Sequence, residues 1–485
     1  DKDNSLVIEL QKIRGRKIQL GMDNGKYSII KTKSNGKLMI AQVNIKPYAK
    51  LNVTNKNFVV ASKEHTIARG SSFNRSDYRI VPVRFEVIPF MTREKVICKS
   101  MFNLLGSHCT RLEGFALGVG PNIVSEDSGF TEISAIGNFV GGNAHSFQLS
   151  SVINKTNGSM TGSQISGVMN KVGDNFSGFQ IAGAINMVSK DVTGMQTAGA
   201  FNIANGKMDG MQIAGAFNIV RDEASGMQLA GAFNTAKKPF VGTQMATAFS
   251  IANETVHGAQ INGGLSYANK GISGLQISGA ASYTSGMLSG LQIAGAFNYA
   301  KQVTGAQLGT INIAGNTLGA QLGVINIAGN ISGLQLGLIN IAEKQKGIPI
   351  GLINISANGS VDLISWIDSQ EGGMAGFRFR SNHIYSIISF GLDYSQNFDP
   401  KKRFVMAYYM GAHIPVLSLF YINIDLGFVS NDKANVFNYQ KGIDTLHMQG
   451  RLIAGFSPFN RLALFGGVGL DYGFGAAKKI TTGEF

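Results

Sequence analysis

Residues 114–359 repeat a single unit, and a fixed period over half of a 485-residue chain limits the fold before any other feature does. The clearest copies are GMQTAGAFNIANGKMD at 194–209, GMQIAGAFNIVRDEAS at 210–225 and GMQLAGAFNTAKKPFV at 226–241. The period is 16 residues for most of the array and 14 near its end, in GAQLGTINIAGNTL, GAQLGVINIAGNIS and GLQLGLINIAEKQK.

Inside each unit apolar residues alternate with small or amide residues, a period of two that belongs to strands and not helices. In 210–220 one parity carries Met211, Ile213, Gly215, Phe217 and Ile219, and the other Gln212, Ala214, Ala216 and Asn218. Between 178 and 300 the charge falls in links such as Arg221-Asp222-Glu223 and Lys237-Lys238-Pro239, which reads as one strand per repeat.

The unit is nearly palindromic about its central glycine. In an antiparallel meander that symmetry sets Gln212 beside Asn202 and Asn234, and matched cross-strand pairs stabilise a sheet. A parallel β-solenoid instead stacks Gln212 on Gln196 and Gln228, in ladders of identical residues. The expected fold is all-β: a long antiparallel repeat meander forming a membrane β-barrel-like body, with a small N-terminal β domain. Lipid would then meet Met195, Phe201, Met211, Ile213, Phe217, Ile219 and Phe233. Gln180, Gln196, Gln212, Gln228, Asn186, Asn202, Asn218 and Asn234 would form a structural ladder.

Charge divides the chain. Residues 1–113 hold 21 Lys and Arg against 9 Asp and Glu, most of the net +14. The boundaries read as a basic β-rich domain at 1–90, a linker at 91–113 with Cys98 and Cys109, the repeats at 114–359 and antiparallel barrel-like strands at 360–485. Asn-Gly pairs at Asn24-Gly25 and Asn35-Gly36 lie between β-prone runs and signal hairpins. The basic surface suits anionic lipid or lipopolysaccharide phosphate. No recognition helix, zinc spacing or aromatic-basic platform points to nucleic acid. Cys98 and Cys109 are close enough for a local bridge in an oxidising compartment, and equally suit two buried thiols.

After residue 359 the strands change type. Phe420, Ile422, Ile424, Leu426 and Phe428 share one parity, and Tyr421, Asn423, Asp425 and Gly427 the other. Residues 386–394 and 462–474 repeat the scheme, each with one Asp (Asp393, Asp471) on the non-apolar side. A continuous apolar face over a polar one is how a membrane β-strand reads, with Phe420, Ile422, Ile424, Leu426 and Phe428 toward lipid. Residues 361–373, with the single Trp366, read as a connection. No apolar run is long enough for a transmembrane helix.

These tandem GMQIAGAFNIA and GLQLGLINIA units, followed by barrel-like strands, resemble the repeat-bearing surface and outer-membrane proteins of Gram-negative bacteria. More narrowly, they are similar to ring-forming outer-membrane proteins whose protomers oligomerise and enclose lipid. The resemblance implies an outer-membrane location with the N-terminal domain periplasmic or peripheral, membrane lipid as partner, and a homo-oligomer.

The seven histidines show no metal spacing and the glycines no phosphate-loop pattern, so no catalytic site, metal or cofactor is expected. Asp393, Asp425 and Asp471 read as polar fillers of a barrel interior. The expected function is a non-enzymatic, lipid-associated, membrane-remodelling assembly. The alternatives are a large porin-like pore and a soluble solenoid adhesin, whose Phe, Ile and Met parity would be its internal core.

Overall fold

In the computed structural model the described residues are 25–32, 38–45, 59–60, 75–89, 94–369, 372–392, 404–432, 446–459, 462–473 and 480–484. The chain divides into two compact units, Asp1–Tyr78 and Arg79–Phe485. In the first, Gly25–Thr32 and Leu38–Ile45 pair antiparallel, with Thr32 opposite Leu38, and Val59–Val60 pairs along the second strand. The tips at Asn24-Gly25 and Asn35-Gly36 lie at or beyond the edge of the described residues, as does most of the basic surface.

The second unit opens with a parallel β-solenoid. Each 16-residue coil contributes two strands, as in Met208–Ala214 and Phe217–Val220, joined by a corner at Gly215-Ala216. Every strand pairs in parallel with its equivalent one coil away: Gln212 faces Gln196 and Gln228, and Asn218 faces Asn202 and Asn234. The antiparallel meander and the single strand per repeat are therefore corrected. The palindrome serves a different end. Its halves form two walls facing each other across a thin interior, with the central Gly-Ala as the hinge between them. Stacking is like on like, so Phe201, Phe217, Phe233 and Phe249 lie ring on ring at centroid spacings of 4.7, 4.0 and 5.0 Å.

The parities are distributed unlike those of most soluble folds. Gln212, Ala214, Asn218 and Val220 point inward with Met208, while Met211, Ile213, Phe217 and Ile219 are half-buried on the outside. The Phe, Ile and Met parity is thus not the solenoid's internal core. Near the corner the core is thin and filled by alanines and amides, while the link end takes larger side chains such as Phe176, Met208 and Phe240. Between 178 and 300 charge keeps to the link edge, as in Lys270–Glu254 (2.7 Å), with Asp209 pointing outward nearby. Further toward the N-terminus Lys155 and Lys171 stand in the strands Ile153–Thr156 and Met169–Val172.

The stack starts before the recognisable repeat. Arg79–Glu86 pairs in parallel with Val96–Asn103, which pairs with Arg111–Gly118. Among the described residues Arg79–Glu86 has a partner on one side only, an edge position that suits Pro82.

After the last coil comes an eight-stranded antiparallel sheet in chain order: Ser360–Asp368, Gly372–Ser381, Ile384–Leu392, Phe404–Pro415, Phe420–Asp432, Leu446–Phe459, Leu462–Gly473 and Ile480–Glu484. Residues 360–368 are its first strand and no mere connection, and Trp366 points into its interior. Contacts between the first and sixth strands show that the sheet curls round on itself: Gln449 Nε2 donates to Asp368 Oδ2 at 3.3 Å.

The coil spacing leaves no room for side chains where Gly194, Gly210 and Gly226 stack. At Gly210 φ is +137°, and a Cβ would stand 2.0 Å from the Gly194 carbonyl oxygen. Gly210→Ala is expected to destabilise the solenoid by at least about 1–3 kcal/mol, the cost of such a backbone strain alone, read as a lower urea midpoint by circular dichroism.

Candidate functional site

Three arrangements stand out: two amide rows, a pair of thiols and the curled C-terminal sheet.

The first row runs along one wall. Gln212 Nε2 donates to Gln196 Oε1 at 2.8 Å, Gln228 donates to Gln212 at 2.9 Å, and the same bond recurs from Gln335 back to Gln148. The spacing explains it. At the roughly 4.8 Å between paired strands, one amide can donate to the coil before and accept from the coil after. All donors point toward the N-terminal end, where the row stops on Glu132: Gln148 Nε2 donates to its Oε1 at 2.9 Å, as do Ser128 at 2.7 Å and Ser146 at 3.3 Å. An acceptor-only carboxylate is the group that can end a chain of donors. Glu132 is wholly buried, its Oε2 has no hydrogen-bond partner among the described residues, and burial raises its pKa.

The second row, on the facing wall, runs the opposite way. Asn202 Nδ2 donates to Asn218 Oδ1 at 2.9 Å and Asn218 to Asn234 at 3.0 Å. Each Asn also ties the walls together: Asn218 Nδ2 reaches Leu229 O at 2.8 Å and Gln212 O at 3.2 Å. Where Asn gives way to Ser250, Ser266 and Ser282, the alanine position one wall over becomes Asn262 and then Ser278. Ser250 Oγ donates to Asn262 Oδ1 at 2.7 Å and Asn262 Nδ2 to Ser266 Oγ at 2.6 Å. The row resumes at Asn298 and ends outside the solenoid, where Asn354 Nδ2 donates to Ser386 Oγ at 3.0 Å on the C-terminal sheet.

Sequence reasoning missed Glu132, Asn262 and the serines. Their signal was present: each occupies the amide or alanine register of a repeat whose own copy has lost it.

Cys98 and Cys109 form no bridge. Both are free, buried and neighbours, and Cys109 Sγ donates to Arg111 O at 3.4 Å. The contact with Cys98, and then burial, push the Cys109 thiol well above its ordinary value. Arg84 and Glu86 pair directly beside them.

In the C-terminal sheet the exterior is apolar, and the interior sets charged and amide groups beside an apolar cluster of Trp366, Met374, Ile387, Val405 and Val429. Arg451 donates to both oxygens of Asp425, at 2.8 and 3.0 Å, and Tyr385 OH donates to Asp425 Oδ2 at 2.9 Å. The Arg451 guanidinium lies 3.4 Å from the Tyr409 ring centroid, and Tyr409 OH donates to Gln449 Oε1 at 2.6 Å. Asp425 and Asp471 are buried there; Asp393 lies outside the described residues. The outward parity carries Leu363 (77 % exposed), Ile367 (78 %), Phe420, Ile422, Ile424, Leu426, Phe428 and Leu464. A groove of about 940 Å³ follows this wall at Gly450, between Ile424, Leu426, Leu452 and Leu470.

Met195, Phe201, Met211, Ile213, Phe217, Ile219 and Phe233 all lie on the outside of the solenoid, apart from the apolar wall of the sheet. Gln180, Gln196, Gln212 and Gln228 share one buried row, and Asn186, Asn202, Asn218 and Asn234 the other. No group of three His, Cys, Asp or Glu suited to a metal ion occurs among the described residues. Comparison of the chain with protein-family models, with curated proteins and with solved structures returned no match.

Two measurements follow from the rows. Asn218→Ala leaves Asn234 Oδ1 without its donor and takes a donor from the Leu229 and Gln212 carbonyls. It is expected to cost about 1–3 kcal/mol for each group left unpaired, measured by urea unfolding against Asn205→Ala on the link edge. For Glu132 the folded state keeps its proton to higher pH than the unfolded chain does. Stability is therefore greatest below the ordinary carboxylate value of 4.5 and declines as pH rises through the folded pKa. Glu132→Gln removes that decline, so the variant should gain on the native chain between pH 4.5 and pH 8; parallel midpoints across this window contradict it.

Proposed function

We propose that this protein is a membrane-anchored β-solenoid: the curled C-terminal sheet sits in a bilayer and holds the solenoid as a rigid, non-enzymatic display or adhesion rod. The observation that carries this reading is the inverted sheet. Its wall is apolar outside, and its inside holds a hydrogen-bonded ion pair, tyrosines and an amide. In water such a sheet would expose its apolar side and bury its charges, the costlier choice on both counts. In lipid the same arrangement is the favourable one.

Strand length agrees. The first seven strands run from 9 to 14 residues, and about 9–11 tilted residues cross a hydrocarbon core. The interior argues for an anchor over a pore, because Arg451, Trp366, Tyr385, Tyr409 and Gln449 fill it. Eight strands enclose just enough room for side chains. The outer membrane of a Gram-negative bacterium, suggested by the resemblance of the repeats, is the bilayer this reading assigns.

The test is extraction and reconstitution of the full chain. It is expected to need detergent and to float with phospholipid vesicles, and Leu464→Arg on the apolar wall should cost about 2–4 kcal/mol at mid-bilayer depth. A monodisperse full-length protein in detergent-free buffer overturns the anchor.

A further inference from the structure

The last coil of the solenoid does not meet the sheet at its rim. It meets the outside of the wall. Tyr408 OH donates to Gly351 O at 2.9 Å, Ser386 Oγ donates to Leu352 O at 3.0 Å, and Ser356 and Ser381 hydroxyls are 3.0 Å apart. The register fixes the level of these contacts. Tyr408 stands opposite Ile388 and Phe428, and Ser386 opposite Met410, which faces Leu426. Those are outward residues in the middle of the apolar wall, with Phe428 and Leu426 about half exposed. A layer of lipid that covers this wall therefore also reaches the coil seated on it.

The coils next to the wall have a surface to match. In the 16-residue coils from 183 to 296 the corner between the walls is Gly-Ala, Thr-Ala or Gly-Gly. In the last three 14-residue coils it becomes Gly323-Val324, Gly337-Leu338 and Gly351-Leu352, with these three apolar side chains exposed in a row, whereas the first 14-residue coil keeps Gly309-Thr310. A second exposed row, Ile136, Val152 and Val168, lies on the coils before 183. Leu336 and Ile348 flank that row on one side and Ile355 on the other. Between 320 and 356 the only charged residues are Glu343, Lys344 and Lys346, all at the opposite edge.

The corner backbone is satisfied from coil to coil as well. Gly323 N donates to Leu336 O at 2.9 Å, Gly337 N to Ile350 O at 3.0 Å and Val324 N to Thr310 O at 2.9 Å. Chain that lies in hydrocarbon must meet that condition.

We infer that the 14-residue coils at 320–356 enter the same bilayer as the sheet, corner first, so that Val324, Leu338 and Leu352 contact lipid acyl chains while the Glu343–Lys346 edge stays in water. The inference rests on the membrane reading of the sheet. It adds that the solenoid is held at two places and that the change of corner from Thr310 to Val324 marks where it leaves the membrane.

The test labels Leu338→Cys, Leu352→Cys, Leu464→Cys and Val168→Cys separately with an environment-sensitive fluorophore, in the folded full chain. Wild type serves as the blank, since its own cysteines are buried. Each is reconstituted into phosphatidylcholine vesicles with brominated or ordinary acyl chains. Leu338→Cys and Leu352→Cys are expected to lose fluorescence to brominated lipid as Leu464→Cys on the sheet does. Val168→Cys, in the same corner register on a coil before residue 183, should keep its signal.

Quenching at Leu464→Cys alone overturns this inference and leaves the anchor standing. If the corner labels are then blue-shifted but unquenched, their cover is another protein surface. No quenching at Leu464→Cys removes the anchor and the inference together. Equal quenching at Val168→Cys overturns the restriction to the 14-residue coils.

Discussion

The solenoid depends on one interaction, the hydrogen bond between an amide and its own copy one coil away in a dry interior. A buried amide left without partners costs more than its burial returns. Here each Gln from Gln164 to Gln321, and each Asn of the row from Asn138 to Asn218, has a donor and an acceptor supplied by identical residues. That demand fixes the parallel direction, the register and the spacing together, since a slip of one residue would leave every amide in both rows unpaired. The alanines follow from the same demand, because only a short side chain lets the facing walls approach closely enough for Asn218 to reach Leu229 O and Gln212 O.

With the amides and alanines inside, the bulky parity has to face outward. Phe217 and Ile219 are half-covered only because copies of themselves stand above and below them. The solenoid consequently keeps its large inward side chains, such as Phe176, Met208 and Phe240, to the link end of the first wall, and shows the rest outside. The curled sheet likewise shows a large apolar face and holds its ion pair inside, beside a smaller apolar cluster. The link edge, with its Lys–Asp and Lys–Glu pairs, is the solenoid's charged margin.

What the residues revealed alone, and what they concealed, follows from this. All-β structure and the two parities were legible from Met211-Gln212-Ile213-Ala214, because period two permits little else. So was the strand character of 420–428, where Asp425 stands out against its apolar neighbours. The direction of pairing was not legible. A palindrome around Gly215 suits a hairpin partner and a facing wall equally well. What separates them is the bend within the unit and the positive φ at Gly210, neither of which alternation records. The partner of Gln212 depends on a choice between Gln and Asn that only the third dimension makes. The thiols of Cys98 and Cys109 were open for a related reason, since proximity in sequence does not say whether two sulfurs bond or merely touch. Glu132 was missed because a lone acid attracts notice as a charge and not as the end of a row of amides.

The two shapes of corner carry a consequence for how such a chain can change over time. Each coil adds one strand spacing of about 4.8 Å to the stack and makes the same bonds to whichever coil stands beside it. Loss or duplication of a whole copy in the middle of the array would leave every neighbour with an acceptable partner, altering only the reach of the rod. Neither end has that freedom, because Glu132 terminates one row and Ser386 receives the other. The array thus behaves as a ruler with fixed end stops, its length adjustable by recombination among near-identical copies.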